Sequence, residues 1–251
     1  MSILKSSDNR YLKNGIKEKC LIIAEAVAVI PVFDYFFYRS LTAAFFLIPV
    51  GVLFYALLSR QLNEKKAAEF RSQFKELLML SSTMMRAGYS VENAILKSYG
   101  DLRYMFGKDS PVCRLIADIA KAQKNRSQIG NVFISAGMQT GIEEIEEFGR
   151  VYSVVYEKSG NMSSIMDKAA GSIIEKMEVE SEIYTAISKS RFEMKIMDLM
   201  PFFIMGYMSL TGRGYFDGMY HNAAGAVVMT ICMAVYILSY LWGERIVRID
   251  V

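Results

Sequence analysis

The chain has 251 residues, a net charge of +3, three cysteines and one histidine. This small net charge, without a stripe of Lys and Arg, speaks against nucleic-acid binding. The cysteines Cys20, Cys113 and Cys232 are far apart, none belongs to a Cys-x-x-Cys pair, and the histidine is His221. We therefore expect no zinc site, no disulfide framework and no cofactor.

Charge is distributed unevenly along the chain. Residues 59–195 hold 38 of the 55 Lys, Arg, Asp and Glu residues, whereas Cys20 to Leu58 and Ile196 to Trp242 are almost entirely apolar. Unpaired charge is costly in hydrocarbon, so a chain embedded in a bilayer keeps it out of the embedded parts. The pattern predicts two membrane regions with a charged domain between them.

The first 19 residues are basic. Five positive charges precede the first apolar run, at Lys5, Arg10, Lys13, Lys17 and Lys19. A signal peptide begins in the same way, but Glu25 interrupts the run and no small-residue cleavage site follows it. We interpret residues 1–19 as a cytoplasmic segment and the run as a retained anchor.

Four segments are candidates for crossing a bilayer, which takes about 20 mostly apolar residues. Leu41 to Leu58 supplies eighteen residues without a charge, and Ala223 to Trp242 supplies twenty. The segments from Cys20 to Phe37 and from Ile196 to Leu210 are weaker because they contain carboxylates and proline. There are two alternatives. The protein could be soluble with deeply buried helices, or these helices could lie in the membrane–water interface. Runs that are apolar on all sides favour spanning helices.

Basic residues indicate the orientation of these segments. They flank the predicted spans on one side, at Arg60, Lys65, Lys66, Arg71, Lys189, Arg191, Lys195, Arg245 and Arg248. The opposite loops contain only Arg39 and Arg213. Because cytoplasmic loops carry the excess of Lys and Arg, both termini and the central block are predicted to lie in the cytoplasm.

The charged block begins with a predicted helical hairpin. Apolar residues at helical spacing are Phe70, Phe74, Leu77, Leu78, Met84 and Met85, with Ser81 completing the stripe. Gly88 is expected to end this helix, because glycine adopts the left-handed conformation without a clash. Ser90 is a good N-cap for the next helix, and Glu92 lies in its first turn.

A second hairpin follows the same pattern around Gly160. The stripe before it consists of Ile145, Phe148, Val151, Tyr152 and Val155. After it, Asn161 or Ser163 is expected to cap a helix whose apolar face is formed by Ile165, Ala169, Ile173 and Met177. Pro111 to Lys121 and Ile129 to Ala136 are predicted as two further helices between the hairpins.

The predicted fold class is all-α: an integral membrane protein with two transmembrane helical hairpins flanking a cytoplasmic helical bundle of about six helices. The hairpins cover residues 20–58 and 196–242, the bundle covers 59–195, and residues 243–251 form a cytoplasmic tail.

Few residues suggest chemistry. Gly100 to Asp109 superficially resembles a phosphate loop, but Asp109 stands where a Ser or Thr must hold magnesium, so we predict a surface loop. The acidic run from Glu143 to Glu147 fits either a partner surface or a solvated helix start. Glu25, Asp34 and Asp198 are carboxylates at predicted membrane edges, which fits either an ion path or an interfacial position. No nucleophile–base pair is evident, and we expect no enzymatic activity.

Two stretches resemble a known family. Leu80 to Ile95, LSSTMMRAGYSVENAI, is similar to the LSxxLxAGxSxxxAL stretch of the type II secretion F domain. Tyr156 to Met162, YEKSGNM, followed by Ile165 and Ala169, resembles that family's later sGnlxxxLxxxA stretch. The resemblance covers about residues 70–205. Classical members carry two copies of the domain, whereas this chain has room for one, as in the platform proteins of tight-adherence (Tad) pili. The short Arg60–Ala68 connection resembles the B type more than the C type.

The resemblance implies a mechanical role. Such a platform would contact a cytoplasmic assembly ATPase, pilin subunits and a paralogous platform protein, as an oligomer in the bilayer. Contacts with the ATPase would then involve Arg86, Lys97, Glu143, Glu144, Glu146 and Glu147. A signalling receptor would need a larger outer sensor, and a transporter would need polar residues within its spans.

Overall fold

A computed structural model describes residues 11–12, 16–37, 48–158, 162–212 and 223–247. These residues form nine helices and no strand, so the predicted all-α class is confirmed. In chain order the helices are α1 (Ile16–Phe37), α2 (Ile48–Arg86), α3 (Val91–Lys97), α4 (Tyr99–Phe106), α5 (Pro111–Lys124), α6 (Ile129–Thr140), α7 (Glu143–Lys158), α8 (Met162–Thr211) and α9 (Ala223–Val247).

Two predictions for the central block are corrected. The surface loop expected over Gly100 to Asp109 is wrong for most of its length, because Tyr99–Phe106 is helical and ends at Gly107. Seven of the described helices contribute to residues 59–195, where about six were predicted. The two intervening helices, α5 and α6, are present and extend a few residues beyond their predicted ends.

The chain divides into two compact units. The first comprises Arg60–Val179 with the described part of Met1–Gly15, and the second comprises the described parts of Ile16–Ser59 and Glu180–Val251. Helices α2 and α8 contribute residues to both units.

Three phenylalanines lie at the centre of the first unit. Phe133 of α6 packs edge-on against Phe148 of α7 with ring centroids 5.0 Å apart, and Phe74 of α2 contacts both rings at 5.9–6.2 Å. All three are essentially inaccessible to solvent. Edge-to-face pairs of this kind add to the stabilisation from burying the rings. The predicted stripes of α2 and α7 thus meet in one core.

The predicted apolar face of α8 is partly wrong. Met166, Ala170, Ile173 and Met177 are the buried residues of this helix. Ile165 is exposed and Ala169 is only half-buried. An interval of four residues repeated three times drifts around a helix of 3.6 residues per turn, whereas intervals of four, three and four stay on one face.

Helices α6 and α7 approach each other closely at glycines. A Cβ added to Gly149 would lie 2.6 Å from the Phe133 Cβ and 2.8 Å from the Gly130 carbonyl oxygen. At Gly137 it would lie 2.6 Å from the Glu146 backbone nitrogen. Only glycine fits at these two positions, since no larger residue leaves room for the facing backbone.

The second unit contains an aromatic cluster from four helices. Phe33 of α1 is buried against Phe54 of α2, Phe202 of α8 and Tyr236 of α9, with centroids 5.4–6.1 Å apart. The Tyr236 hydroxyl also donates a 3.0 Å hydrogen bond to the Asp198 carbonyl oxygen, one turn before Phe202. Pro201 has no N–H to donate to the Met197 carbonyl oxygen, so the helical hydrogen bonds are interrupted next to the carbonyl that Tyr236 contacts.

Within the described ranges, no helix is both long enough and apolar enough to cross a membrane. Several predictions fall outside those ranges. They are the residues 41–47 of the second predicted span, the loops with Arg39, Arg213 and His221, and the hairpin turn at Gly160 and Asn161.

Candidate functional site

The turn at Gly88 has the geometry that its sequence predicts. Gly88 has φ of +93°, and its N–H donates to the Met85 carbonyl oxygen at 3.0 Å. The Tyr89 N–H donates to the Met84 carbonyl oxygen at 3.1 Å. These two bonds form a Schellman motif, which satisfies the last carbonyls of α2 and requires a left-handed residue at Gly88.

Ser90 begins the second arm of this hairpin. Its hydroxyl accepts a 3.4 Å hydrogen bond from the Asn93 backbone N–H, as expected for the N-cap of α3. Lys97 at the end of α3 places its Nζ 4.0 Å from the centroid of the Tyr89 ring. This predicted partner-contact residue is therefore already engaged in a cation–π contact with the turn.

The two stretches that resemble the F domain meet at this turn. The Ser163 hydroxyl at the start of α8 donates to the Tyr89 carbonyl oxygen at 3.2 Å. The Arg86 Nε lies 3.0 and 3.2 Å from the two carboxylate oxygens of Asp167. Because Arg86 remains 72% exposed, it is both paired within the chain and accessible. We call the residues Arg86–Ser90, Ser163 and Asp167 the turn surface.

Glu144 does not belong to a solvated acidic run. Its side chain is only 1% exposed, and one carboxylate oxygen lies 3.2 Å from the Arg71 guanidinium of α2. Its other oxygen, Oε2, has no hydrogen-bond partner among the described residues. The prediction that Glu144 contacts a partner or solvent is therefore wrong. Glu144 is buried, and it forms an ion pair with Arg71 that joins α7 to α2.

The other three carboxylates of the run lie at the surface. Glu143 and Glu147 are exposed, and the Lys176 Nζ lies 3.9 and 3.7 Å from them. Glu146 forms an ion pair with Arg150 one turn later. The structure thus divides the predicted run into a buried residue, an internally paired residue and an accessible pair, Glu143 and Glu147.

A cavity of about 420 Å³ lies elsewhere in the first unit. It is lined by residues from α3, α6, α7 and the end of α5, namely Glu92, Gln123, Arg126, Ser127, Gln128, Ile129, Gly130, Tyr152, Ser153 and Tyr156. This volume lies within the range of small-molecule sites, about 300–1,000 Å³. We call it the Glu92 cleft.

A hydrogen bond positions the carboxylate of the cleft. The Tyr152 hydroxyl donates to Glu92 Oε1 at 2.7 Å. Burial, together with the hydrogen bond and charge of Glu92, raises the pKa of Tyr152 above its ordinary value. The phenol therefore stays protonated and keeps donating. The Tyr156 ring stacks on Tyr152 at 6.0 Å and 13° between ring planes.

Arg126, which lines the cleft, has a strained backbone conformation. It is the one non-glycine residue with positive φ in the described ranges, at +53°. Its N–H donates to the Gln123 carbonyl oxygen, and the Ser127 N–H donates to that of Ala122. These bonds form a second Schellman motif, with arginine where glycine is usual.

The sequence predicts Tyr152 only as part of the apolar stripe of α7 and Glu92 only as part of a helix start. The Glu92–Tyr152 contact and the Arg86–Asp167 contact join residues 60 and 81 positions apart, so no local spacing points to them. Arg126 has no sequence signal either, because glycine is the usual residue at a left-handed position.

Among the described residues, no three His, Cys, Asp or Glu side chains lie close enough to share a metal ion. Cys20, Cys113 and Cys232 are free thiols. Comparisons with protein-family models, with curated proteins and with solved structures find no match to this chain.

Proposed function

We propose that this chain is an inner-membrane platform protein of a type IV-like (Tad) pilus or of a type II secretion machine. In this role it couples a cytoplasmic assembly ATPase to the extraction of pilin from the membrane. Its first unit receives the motion of the ATPase, and nucleotide hydrolysis belongs to that partner.

The observation that carries the proposal is the contact between the two F-like stretches. They meet through Ser163 and Tyr89 and through Arg86 and Asp167, which are 74 and 81 positions apart in the sequence. Each sequence resemblance is weak by itself. Because the two stretches contact each other in one surface, together they support a shared role better than either does alone.

The surface of α9 supports placing the second unit in lipid. Between Val227 and Trp242 its exposed large side chains are apolar, namely Val227, Val228, Ile231, Val235, Leu238 and Trp242, and the exposed Arg245 follows in the last turn. Those that pack against the aromatic cluster lie on the opposite side of the helix, at Met229, Met233 and Tyr236. An outward face as apolar as the inward face is costly in water and favourable in hydrocarbon.

The accessible pair Glu143 and Glu147 is the proposed ionic contact with the ATPase. We expect Glu143→Lys/Glu147→Lys to reduce the amount of ATPase that co-purifies with the tagged chain from detergent-solubilised membranes. The matched control is Asp101→Lys/Asp109→Lys, which makes the same charge change at exposed residues outside the run. Equal recovery of the ATPase with both variants would remove this contact from the proposal.

A signalling or transport protein is the alternative function. A transporter would accumulate a solute in reconstituted vesicles without any assembly ATPase, and a platform protein would not. Solute uptake by the purified chain alone would therefore favour the alternative.

A further inference from the structure

The Glu92 cleft is not used by the proposed function, yet it brings three complementary groups together. They are the Glu92 carboxylate, the stacked rings of Tyr152 and Tyr156, and the Arg126 guanidinium. Within the described ranges neither Glu92 nor Arg126 has an ion-pair partner, although both line one cavity. A ligand that carries both a hydrogen-bond donor and an anionic group could pair with the Glu92 carboxylate and with the Arg126 guanidinium.

The aromatic pair forms a flat surface in the cleft. One face of the Tyr156 ring lies against Tyr152, and the side chain is still 63% exposed. Its remaining exposed ring surface is therefore available to a planar ligand. Nucleobases stack on exposed aromatic rings in this way, because every base has an apolar π face.

The carboxylate selects for hydrogen-bond donors. Glu92 Oε1 accepts from the Tyr152 hydroxyl, which fixes the side chain and leaves Oε2 to accept from a ligand. A carboxylate pairs with the amino group of a base rather than with a carbonyl edge. Guanine presents two adjacent donors, its ring N–H and its amino group, and is the best match to a carboxylate.

Arg126 supplies the third group. Its side chain is exposed at the end of α5, and a guanidinium pairs with phosphate through parallel hydrogen bonds. Its left-handed backbone fixes the point from which this side chain leaves the chain. The cleft thus offers a carboxylate for the base edge, an aromatic surface for the base and a cation for the phosphate.

We propose that the Glu92 cleft binds a purine nucleotide monophosphate, with guanine preferred over the other bases. A peptide with paired opposite charges would also satisfy Glu92 and Arg126. The parallel tyrosine pair and the cavity of about 420 Å³ favour a compact, flat ligand over an extended chain.

The test is isothermal titration of the full-length chain in detergent micelles with 5′-GMP. We expect saturable one-to-one binding that is weaker for 5′-UMP, whose uracil edge has no amino group. Guanosine should bind more weakly than 5′-GMP because it lacks the phosphate. Binding of the dipeptide Lys-Asp in preference to 5′-GMP would overturn the proposal in favour of a peptide site, and the absence of nucleotide binding would also overturn it.

Three variants test the three groups separately. Glu92→Gln and Tyr156→Ala should each weaken 5′-GMP binding about tenfold, the size of one stacking or charged hydrogen-bond contact. Arg126→Gly should weaken 5′-GMP binding about tenfold and leave guanosine binding unchanged, because it removes only the phosphate partner. Glycine also suits the left-handed position, so we expect this variant to fold as the unmodified chain does.

The matched controls are Lys124→Ala and Tyr104→Ala, which remove a cation and an exposed tyrosine outside the cleft. Both should bind 5′-GMP as the unmodified chain does. An equal effect of Arg126→Gly and Lys124→Ala would show general charge attraction and would contradict the assignment of Arg126. Because the cleft lies in the first unit, these results do not depend on membrane insertion.

Discussion

Tyr152 and Glu92, sixty residues apart in the sequence, are joined by a 2.7 Å hydrogen bond from the phenol to the carboxylate. The bond links α7 to the first turn of α3. Tyr152, a residue of the apolar stripe, thereby holds Glu92 in place, the only carboxylate among the described residues that line the cavity.

Tyr152→Phe removes this bond and keeps the ring. We expect the free energy of unfolding to fall by about 1–2 kcal/mol, since the carboxylate loses its donor but remains partly hydrated. Thermal unfolding of the full chain in detergent measures the change. Tyr104→Phe is the control, because Tyr104 is almost fully exposed. This variant should unfold at the same temperature as the unmodified chain.

The same variant should alter the dependence of stability on pH. The folded-state pKa of Tyr152 is raised, so its contribution is fully present below the unfolded pKa of about 10 and is lost as pH rises above it. The melting temperature should fall less between pH 9 and pH 11 for Tyr152→Phe than for the unmodified chain. An equal fall in the melting temperatures of the two chains over this pH range would contradict the raised pKa of Tyr152.

Glycine substitutions test the close packing of α6 and α7. Gly149→Ala and Gly137→Ala should each lower the free energy of unfolding by about 2–3 kcal/mol, because the added methyl meets backbone atoms. Gly171→Ala on α8 has nothing within 4 Å of the new Cβ. It should stabilise the chain by about 0.5–1 kcal/mol. Equal effects at the three positions would contradict the packing.

The buried carboxylate of Glu144 predicts strong coupling to Arg71. Arg71→Leu should cost about 2 kcal/mol, less than for a fully buried pair because the guanidinium is partly exposed. Adding Glu144→Leu should recover much of that loss. Lys75→Leu, which removes a pair with the half-exposed Glu178, should cost less than about 1 kcal/mol. Additive effects of Arg71→Leu and Glu144→Leu would show that the two side chains are not coupled.

Arg126→Gly should stabilise the fold while it weakens the proposed ligand binding. Glycine relieves the left-handed strain at this position, which is worth about 1 kcal/mol. Lys124→Gly, two residues earlier within the helix, should destabilise the chain instead. A loss of stability with Arg126→Gly would show that its side chain has a structural role.

Much of the local structure could be predicted from the sequence, because turns, caps and apolar stripes depend on residues that are neighbours in the chain. The Gly88 turn, the Ser90 cap and the stripes of α2 and α7 follow from capping and from helical periodicity. The burial of Glu144 was missed because it depends on Arg71, which lies 73 positions earlier. Its four-residue acidic context is identical to that of a solvated helix start, and only the packing of α2 against α7 distinguishes the two.

The cleft could not be predicted for the same reason. Its lining comes from three separate parts of the chain, and its strained residue, Arg126, occupies a position where the sequence offers no glycine. The helix α4 was missed because Gly100 and Gly107 suggested a loop, whereas Gly100 lies within the first turn of the helix and only Gly107 ends it.

The central claim is that lipid holds the second unit while the first unit lies in the cytoplasm. A protease site inserted between Lys108 and Asp109, both exposed in the turn after α4, tests it directly. The account predicts that protease cuts this site in inverted inner-membrane vesicles, that both products stay in the pellet after a carbonate wash, and that intact spheroplasts protect the site. Cleavage in intact spheroplasts, or release of the uncut chain by carbonate, would contradict it.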